Sequence, residues 1–442
     1  MKAKPLRSVR AAFASRLLAS SALLLPLAIA AAALPAAAES GAVRCGKLLD
    51  VRSGKVLADQ VVIFADGKIT AVGPSASNAL PAGITPMDLS RATCLPGLID
   101  AHTHLTYEPG DTGFRGLGIS VPRATVTGVK NARLTLRAGF TTARNVHAGG
   151  FSDVAVRDGI NAGDIEGPRL LVSGPALGIT GGHSDNNLLP AEYDHQSAGV
   201  ADGVDAVTAK VRWDIKYGAD VIKFMATGGV LSEGDNPQAA QYSLAEMRAI
   251  VETAHSLGRR VAAHAHGALG IKNAVLAGVD SVEHGSYIDE EGIKLMKQHG
   301  TYLVATLYLG DWLLDNLGKL GLTAGMAAKA RAVIPEARKN VARAFQEGVK
   351  VAFGTDSGVY PHGLNAREFA VMVKLGLTPL QAIQAATVNA ADLLGWSDRV
   401  GTLEPGRYAD LIAVDGDPLA DVRVLESVKL VMKGGAIFRN DF

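Results

Sequence analysis

Two histidines separated by one residue end an apolar stretch in the first quarter of the chain. The stretch is LPGLIDAHTH, residues 95–104, and its histidines are His102 and His104. Residues i and i+2 of a β-strand point to the same side, so both imidazoles should project together. Imidazole is the commonest metal ligand among protein side chains. The pair therefore indicates a metal site, although a single histidine at a strand end is more often a hydrogen-bonded core residue.

Four further ionisable residues lie in or at the end of later β-branched segments. They are Lys223 in VIKFMA, His264 in VAAHAHG, His284 in SVEHG and Asp356 in AFGTD. Imidazole and carboxylate are ligands of zinc-type ions, and catalytic sites combine several of them with an open position for water. Six such groups exceed what one tetrahedral ion needs and suit two ions about 3.5–4 Å apart. Their joint placement on different strands favours a metal site over unrelated core residues.

A repeated unit accounts for this placement. A helix-like stretch ends in glycine, as helices commonly do, and a short β-branched segment follows at Gly139, Gly218, Gly258, Gly278, Gly300 and Gly348. With GLIDAHTH and RLLVSGPAL, eight strands are predicted between about residues 97 and 358. Strands that alternate with helices predict parallel units, and eight of them predict a (β/α)8 TIM barrel of the α/β class. An open doubly wound sheet is the alternative, but no GxGxxG opens a helix.

The flanks of this predicted barrel have a different pattern. Residues 41–94 alternate in short strand-like segments, and the last forty residues do the same. We predict one small β-sandwich built from both ends of the chain. The predicted domains are residues 39–96 and 401–442 for the sandwich and 97–400 for the barrel, where chemistry is expected at the carboxyl ends of the strands.

The first 38 residues have the layout of a cleaved signal peptide. Five basic residues precede an apolar run, and Ala36-Ala37-Ala38 offers an A-x-A cleavage site before Glu39. The alternative is an N-terminal membrane anchor, for which the run is short. We expect a periplasmic or secreted protein that is free of the membrane after cleavage. A formal charge of +1 argues against nucleic acid as a partner.

Two residues allow more than one interpretation. Cys45 and Cys94 either form a disulfide, which an export context permits, or remain buried thiols. Lys223, between Ile222 and Phe224, should be buried, where the pKa of an amine falls. A neutral amine can add carbon dioxide to give a carbamate that bridges two cations. The alternative is a lysine that reaches the barrel mouth to form an ion pair.

The motifs together resemble the metal-dependent amidohydrolase superfamily, and within it the imidazolonepropionase-like branch that includes exported dipeptidases. They are PGLIDAHTH, GFTTARN, TGGHSD, VIKFMATGGV, VAAHAHG, SVEHG, GTDSGVYPHG and GRYADLIAVDGDPL. The resemblance implies two divalent ions, zinc first, and a homo-oligomer. One ion would be held by His102, His104 and Asp356. The other would be held by His264 and His284, with carbamylated Lys223 bridging the two.

Two departures from the family pattern affect the site. The usual Arg-Asp pair after the second strand is Arg144-Asn145 here, followed by His147 where small residues are common. We expect His147 to be a surface or loop histidine and not a ligand. In HAHG, His264 takes the ligand position, so His266 is expected to polarise the substrate instead.

The expectations for the remaining histidines are less specific. The resemblance implies that His183, in TGGHSD, contacts the scissile group, while a loop-stabilising role is the alternative. The role of His362 in YPHG is left open. His195, His255 and His299 are expected to be exposed.

The resemblance also implies a mechanism and a substrate class. A hydroxide bridging the ions attacks a carbonyl polarised by one ion and by His183 or His266, and Asp356 carries the proton to the leaving nitrogen. Relatives cleave dipeptides or N-acyl amino acids, among them ochratoxin A, so a free carboxylate is expected in the substrate. Arg144, His266 and His183 are the predicted carboxylate donors, and residues 227–243 should shape the pocket. The alternative is lactam hydrolysis of the imidazolonepropionase type, whose enzymes are typically mononuclear and lack the bridging lysine.

Overall fold

The computed structural model of the chain describes residues 40–442. The predicted signal peptide, residues 1–38, lies outside the described residues and stays a prediction. Within residues 40–442, no helix combines the length and the apolar character that a membrane crossing requires.

The strands of the described residues fall into a first group, β1 to β4, a central group, β5 to β11, and a last group, β12 to β14. Their bounds are β1 Gly41–Asp50, β2 Lys55–Ala65, β3 Lys68–Pro74, β4 Met87–Pro96, β5 Leu98–Thr103, β6 Phe140–Asn145, β7 Arg169–Val172, β8 Val221–Met225, β9 Arg260–Ala265, β10 Ser281–His284, β11 Tyr302–Val304, β12 Leu411–Val414, β13 Leu430–Lys433 and β14 Ala436–Asn440.

Helices fill most of the intervals between the central strands. Their bounds are α1 Val121–Arg137, α2 Ser152–Ala162, α3 Val204–Lys216, α4 Leu244–Ser256, α5 Ala268–Ala277, α6 Glu290–His299, α7 Tyr308–Asn316, α8 Ala324–Gln346, α9 Arg367–Lys374, α10 Pro379–Gln384 and α11 Ala390–Leu393. Two of the predicted glycine ends are seen after α5 and α6. Gly278 and Gly300 have φ of 96° and 70°, a left-handed conformation that glycine adopts without steric cost.

The central strands are parallel and form two sheets. The strand order is β5-β6-β7 in one sheet and β11-β10-β9-β8 in the other. Isolated parallel bridges join Leu177 to Phe224 and Leu303 to Val351, and another joins Thr103 to Ser357. The chain is therefore an α/β protein of alternating parallel strands and helices, as predicted. The eighth predicted strand, around residues 351–357, is an irregular segment held by such bridges.

Burial explains why the central strands are almost uninterrupted apolar runs. Every residue of β5, β6 and β8 is buried. Parallel strands covered by helices are buried on both faces, so they lack the alternation of a half-exposed sheet. Polar residues inside these strands, such as Lys223 and Arg144, are therefore costly unless they have a specific role.

The two ends of the described chain form a third sheet. Its strand order is β14-β13-β12-β4-β1-β2-β3. Both ends of the described chain contribute strands to this sheet, as predicted, and hydrogen bonding makes the sheet continuous. Its organisation as a separate sandwich domain stays a prediction. Ile69 on β3 and Leu430 on β13 belong to one buried apolar cluster. The sheet therefore curls around its own core, although these strands are far apart in its order.

A disulfide bond joins the first and fourth strands of the terminal sheet. Cys45 on β1 and Cys94 on β4 are bonded, with Cα atoms 6.0 Å apart, and both are fully buried. The interpretation that the sequence left open is thus settled in favour of the pair. The bond closes a loop of sequence separation 49 that includes β2 and β3.

Removing this bond should destabilise the protein without altering the site. We expect the Cys45→Ala, Cys94→Ala double variant to lose about 2–4 kcal/mol of unfolding free energy, because the unfolded chain regains the entropy of the open loop. Denaturant unfolding of the oxidised parent and the variant measures the difference. Thiol titration of the denatured parent should find no free thiol, and two thiols per chain would contradict the assignment.

Candidate active site

One cavity collects the ionisable residues that the sequence predicted. It has a volume of about 280 Å³ and lies at the carboxyl ends of the central strands. His102 and His104 reach it from the end of β5, and Lys223 and His264 reach it from β8 and β9. Its lining includes all six predicted ligands: His102, His104, Lys223, His264, His284 and Asp356.

Two overlapping groups of side chains within the described residues place their ligand atoms within 4.8 Å of one another. The first group is His102, His284 and Asp356, and the second is His264, His266 and His284. His104 joins the first group through Asp356, since its Nε2 lies 3.1 Å from Asp356 Oδ1. His284 belongs to both groups, and His266 lies beside His264 and His284. The division of the ligands between two ions stays a prediction.

A buried chain of polar contacts holds His102 from behind. Its Nδ1 lies 2.6 Å from Glu283 Oε2, and Arg144 Nη2 donates to Glu283 Oε1 at 2.8 Å. Burial alone would raise the pKa of Glu283, but the Arg144 guanidinium and the hydrogen bond from His102 hold the pKa well below its usual range. A carboxylate behind a ligating histidine fixes the tautomer that turns Nε2 toward a metal.

The structure corrects the role predicted for Arg144. Its side chain is 2% exposed and is absent from the lining of the cavity. It donates to Ala101 O at 2.5 Å and to Ser281 Oγ at 3.1 Å, besides its bond to Glu283. All its contacts are internal, because the side chain points into the interior between the strands. Arg144 therefore supports His102 and does not reach a substrate carboxylate.

Other histidines of the two groups are also oriented from behind. His284 Nδ1 lies 2.8 Å from Thr306 Oγ1, and His266 Nδ1 lies 2.7 Å from Ser286 Oγ. Burial holds the pKa of His284 well below its usual value, and the same applies to His264. Neutral imidazoles beside an ionised carboxylate are the donor set that a zinc-type ion requires, so these residues suit metal binding.

The backbone is strained where these ligands are attached. His284, Thr306 and Asp356 have φ of 71°, 50° and 60°, in the left-handed region that residues with side chains rarely occupy. Such conformations persist where the surrounding structure enforces them, and they concentrate at functional sites. Here they turn the side chains at the strand ends into the cavity.

Lys223 lies at the floor of the cavity without an ion pair. Its side chain is 2% exposed, and burial lowers its pKa to about 8. Within residues 40–442, no carboxylate lies within 4.0 Å of its Nζ. The described residues thus form no close ion pair with Lys223, although the charges of Glu283 and Asp356 act on it and raise its pKa against the effect of burial. The amine lines the same cavity as the histidines.

His183 faces the second ligand group from the loop after β7. The ring centroids of His183 and His264 are 4.3 Å apart, and His183 Nδ1 lies 2.7 Å from Ser232 Oγ. Ser232 in turn donates to Asp235 Oδ1 at 2.7 Å, and Lys329 Nζ on α8 donates to the same oxygen at 2.7 Å. The loop of residues 227–243 thus orients His183, in addition to lining the pocket as predicted.

His147 lies in the loop after β6, in line with the expectation of a surface or loop histidine. It is half-buried and lines the cavity. Its Nδ1 accepts a hydrogen bond from Ala176 N at 2.9 Å, and its ring stacks on Tyr107. Burial lowers its pKa to about 3. It belongs to neither ligand group among the described residues.

The remaining histidines are now placed. His362 Nδ1 lies 2.9 Å from Thr135 Oγ1, and its Nε2 lies 3.3 Å from the His104 carbonyl oxygen. His362 therefore supports the backbone at His104. His195, His255 and His299 are exposed, as predicted.

The outer part of the cavity is apolar. Helices α7 and α8 and the loop after β8 supply its wall, which contains Val230, Leu231, Leu309, Leu313, Val333 and Ile334. Charged residues at the rim are Glu108, Asp111 and Arg338. The arrangement combines a polar floor able to bind metal with a wall suited to an apolar group of a substrate.

Comparisons with known proteins agree with this description. Residues 93–438 match the Amidohydrolase family. The chain is 37% identical over 416 residues to ochratoxinase of Aspergillus niger, covering 89% of this chain and 85% of that protein. It is 27% identical over 383 residues to imidazolonepropionase of Salinispora tropica, covering 81% and 86%. The crystal structure of a Xaa-Pro dipeptidase with methionine in its active site matches with a TM-score of 0.87 at 36% identity, covering 91% of this chain and 100% of that one.

The chain has a TIM-barrel-like α/β fold, and imidazoles and a carboxylate that can bind metal line one cavity. These features define a hydrolase that acts on carbon–nitrogen bonds. The chain belongs to the amidohydrolase family. Sequence reasoning missed Glu283, for which an acid next to His284 in a buried strand was a usable signal. It named His147 as a surface or loop residue but did not place it on the cavity wall, a position that depends on contacts with Ala176 and Tyr107.

A single methyl group should test the placement of His183. A Cβ at Gly229 would lie 2.0 Å from His183 Cε1, so Gly229→Ala must displace the ring. We expect kcat/KM to fall about 10²-fold, since misplacing a catalytic group by about 1 Å has effects of this size. Gly318→Ala is the matched control, because a Cβ at Gly318 meets nothing within 4 Å. Equal activity of both variants, with equal metal content, would show that His183 does not act on the substrate.

Proposed function

We propose that the protein hydrolyses the amide bond of small substrates that carry a free carboxylate at the carboxyl end. Dipeptides are the first class, and N-acyl aromatic amino acids, including ochratoxin A, are the second. The observation that carries this proposal is the meeting of His102, His104, Lys223, His264, His284 and Asp356 in one buried cavity. Relatives named ochratoxinase and Xaa-Pro dipeptidase support the choice of substrates.

We propose two divalent ions at the floor of the cavity, with zinc as the expected metal. His102, His104 and Asp356 would hold one ion, and His264 and His284 would hold the other. A carbamate on Lys223 would lie between them, which the lowered pKa of its unpaired amine supports. Such ions polarise carbonyl oxygens and lower the pKa of water to near neutrality.

The chain's own residues would carry the proton and the substrate. Asp356, whose pKa stays well below its usual range beside His102 and His104 despite the opposing effect of burial, is ionised and accepts a proton from the attacking water. It then donates that proton to the nitrogen of the broken amide bond. His266 would hold the carbonyl oxygen, and His183 would contact the scissile group. The apolar wall formed by α7 and α8 excludes water and receives an apolar side chain.

Lactam hydrolysis of the imidazolonepropionase type is the competing function. The similarity to that enzyme supports it, at 27% identity. The buried, unpaired Lys223 favours the two-ion amide hydrolase, because a one-ion site has no use for it. The higher identities to ochratoxinase and to the dipeptidase structure favour the same choice.

Architecture and location complete the proposal. We propose that the bridges from Thr103 to Ser357 and from Leu177 to Phe224 close the two parallel sheets into an eight-stranded barrel. We also propose that the protein is exported after cleavage near Glu39. The disulfide of Cys45 and Cys94 supports export, since such bonds persist in oxidising compartments.

Replacing Lys223 tests the two-ion site. We expect Lys223→Ala to lose most activity, because the group that holds both ions together is gone, and to regain part of it with short carboxylic acids. Elemental analysis should find about two ions per parent chain and fewer in the variant. Full activity of Lys223→Ala in metal-free buffer would contradict the proposal.

A substrate screen tests the function itself. The zinc-loaded protein is offered dipeptides, N-acyl amino acids including ochratoxin A, and the lactam imidazolone propionate. We expect turnover of carboxylate-bearing amides, with apolar residues preferred because of the wall formed by α7 and α8. Turnover of the lactam alone, with every amide inert, would reverse the ranking of the two functions.

A further inference from the structure

The side chain of His147 has a fixed tautomer. A backbone N–H can only donate, so the Ala176 N–H at 2.9 Å requires a lone pair on His147 Nδ1. The ring proton is therefore on Nε2, at the opposite edge of the imidazole. Residues 40–442 provide no hydrogen-bond partner for this Nε2–H, and the atom is not enclosed.

The ring is also held in place along the cavity wall. It stacks on Tyr107 with centroids 5.8 Å apart and an interplanar angle of 17°. Its centroid lies 6.3 Å from that of His104. The backbone carbonyl of His147 faces His104 Nδ1 at 3.5 Å. His147 thus presents a rigid Nε2–H donor to the cavity, and this donor has no partner among the described residues. The ring lies next to His104 and outside both ligand groups.

The other polar groups near the cavity are less suited to bind an anion. Ser232 donates to Asp235, so His183 Nδ1 must donate to Ser232, and the neutral His183 ring has its lone pair on Nε2. Arg338 at the rim is paired with Asp311. Glu108, close to Tyr107 in sequence, is paired with Lys130, and Asp111 accepts a hydrogen bond from Glu108 N at 2.9 Å.

We propose that His147 Nε2–H binds the substrate carboxylate and so selects substrates that end in a free acid. This inference rests on the proposed function, which requires a donor for that carboxylate. One residue spans about 3.5 Å, so a carboxylate one residue beyond the scissile carbon lies where a ring next to His104 can reach it. The residues of α7 and α8 that line the cavity are apolar apart from Arg338, which is paired with Asp311.

Two conservative variants distinguish the role of the His147 Nε2–H donor from that of the Nδ1 contact with Ala176. His147→Asn places an amide oxygen near the Nδ1 position, where it accepts from Ala176, and removes the outer donor. His147→Gln places an amide N–H near the Nε2 position and keeps a donor. Calorimetry of the zinc-loaded protein compares L-phenylalanine, a product of N-acyl-phenylalanine cleavage, with L-phenylalaninamide, which lacks the charge.

We expect His147→Asn to weaken L-phenylalanine binding about 10- to 100-fold, the value of a hydrogen bond to a charged group. Binding of L-phenylalaninamide and the metal content should stay unchanged, and His147→Gln should recover part of the affinity. In turnover of a carboxylate-bearing amide the loss should appear mainly in KM.

Several outcomes would overturn the inference. It is wrong if the parent protein binds the acid no better than the amide. It is also wrong if His147→Asn weakens both ligands equally, or if Arg338→Met removes the preference while His147→Asn does not. Turnover of carboxylate-bearing amides by the parent protein, measured separately, decides the proposed function whichever result His147 gives.

Discussion

The buried contact between His102 and Glu283 holds the site together. Glu283 accepts from His102 on one oxygen and from Arg144 on the other, so residues of β5, β6 and β10 meet around one carboxylate. Breaking a buried ion pair by removing one partner is costly, because the remaining charge stays out of water. The strands at the floor of the cavity therefore cannot shift independently. The same contact fixes which nitrogen of His102 faces the cavity.

Much of the site was accessible from the sequence, because its ligands lie at strand ends. The side chains of residues i and i+2 share a side, and parallel strands end at one edge, so His102, His104 and Asp356 could be placed together before any coordinates. Lys223 was recognisable as a charge inside a buried apolar run. Such local patterns survive folding because the central strands are buried on both faces.

The failures have a common physical origin, which is contact between segments remote in the chain. Arg144 was predicted to donate to a substrate carboxylate because it lies near the end of a strand. Its guanidinium instead turns inward to Glu283, 139 positions away in the chain. His147 was expected on the surface or in a loop, and contacts with Ala176 and Tyr107 place that loop residue on the cavity wall. The continuity of the terminal sheet, which was not predicted, depends on the parallel pairing of β1 with β4. The same pairing region contains the disulfide that sequence alone left undecided.

The order of strands in the terminal sheet has a consequence for how the chain folds during synthesis. β4 lies between β1 and β12, so one of its edges stays unpaired until residues 411–414 have been made. An open edge exposes backbone groups that pair readily with other chains. Long-range pairings of this kind also delay folding, because the chain ends must meet first. Strands β12, β13 and β14 thus complete a sheet that β1 and β4 begin, and release of the chain before they are made would leave an edge prone to aggregation.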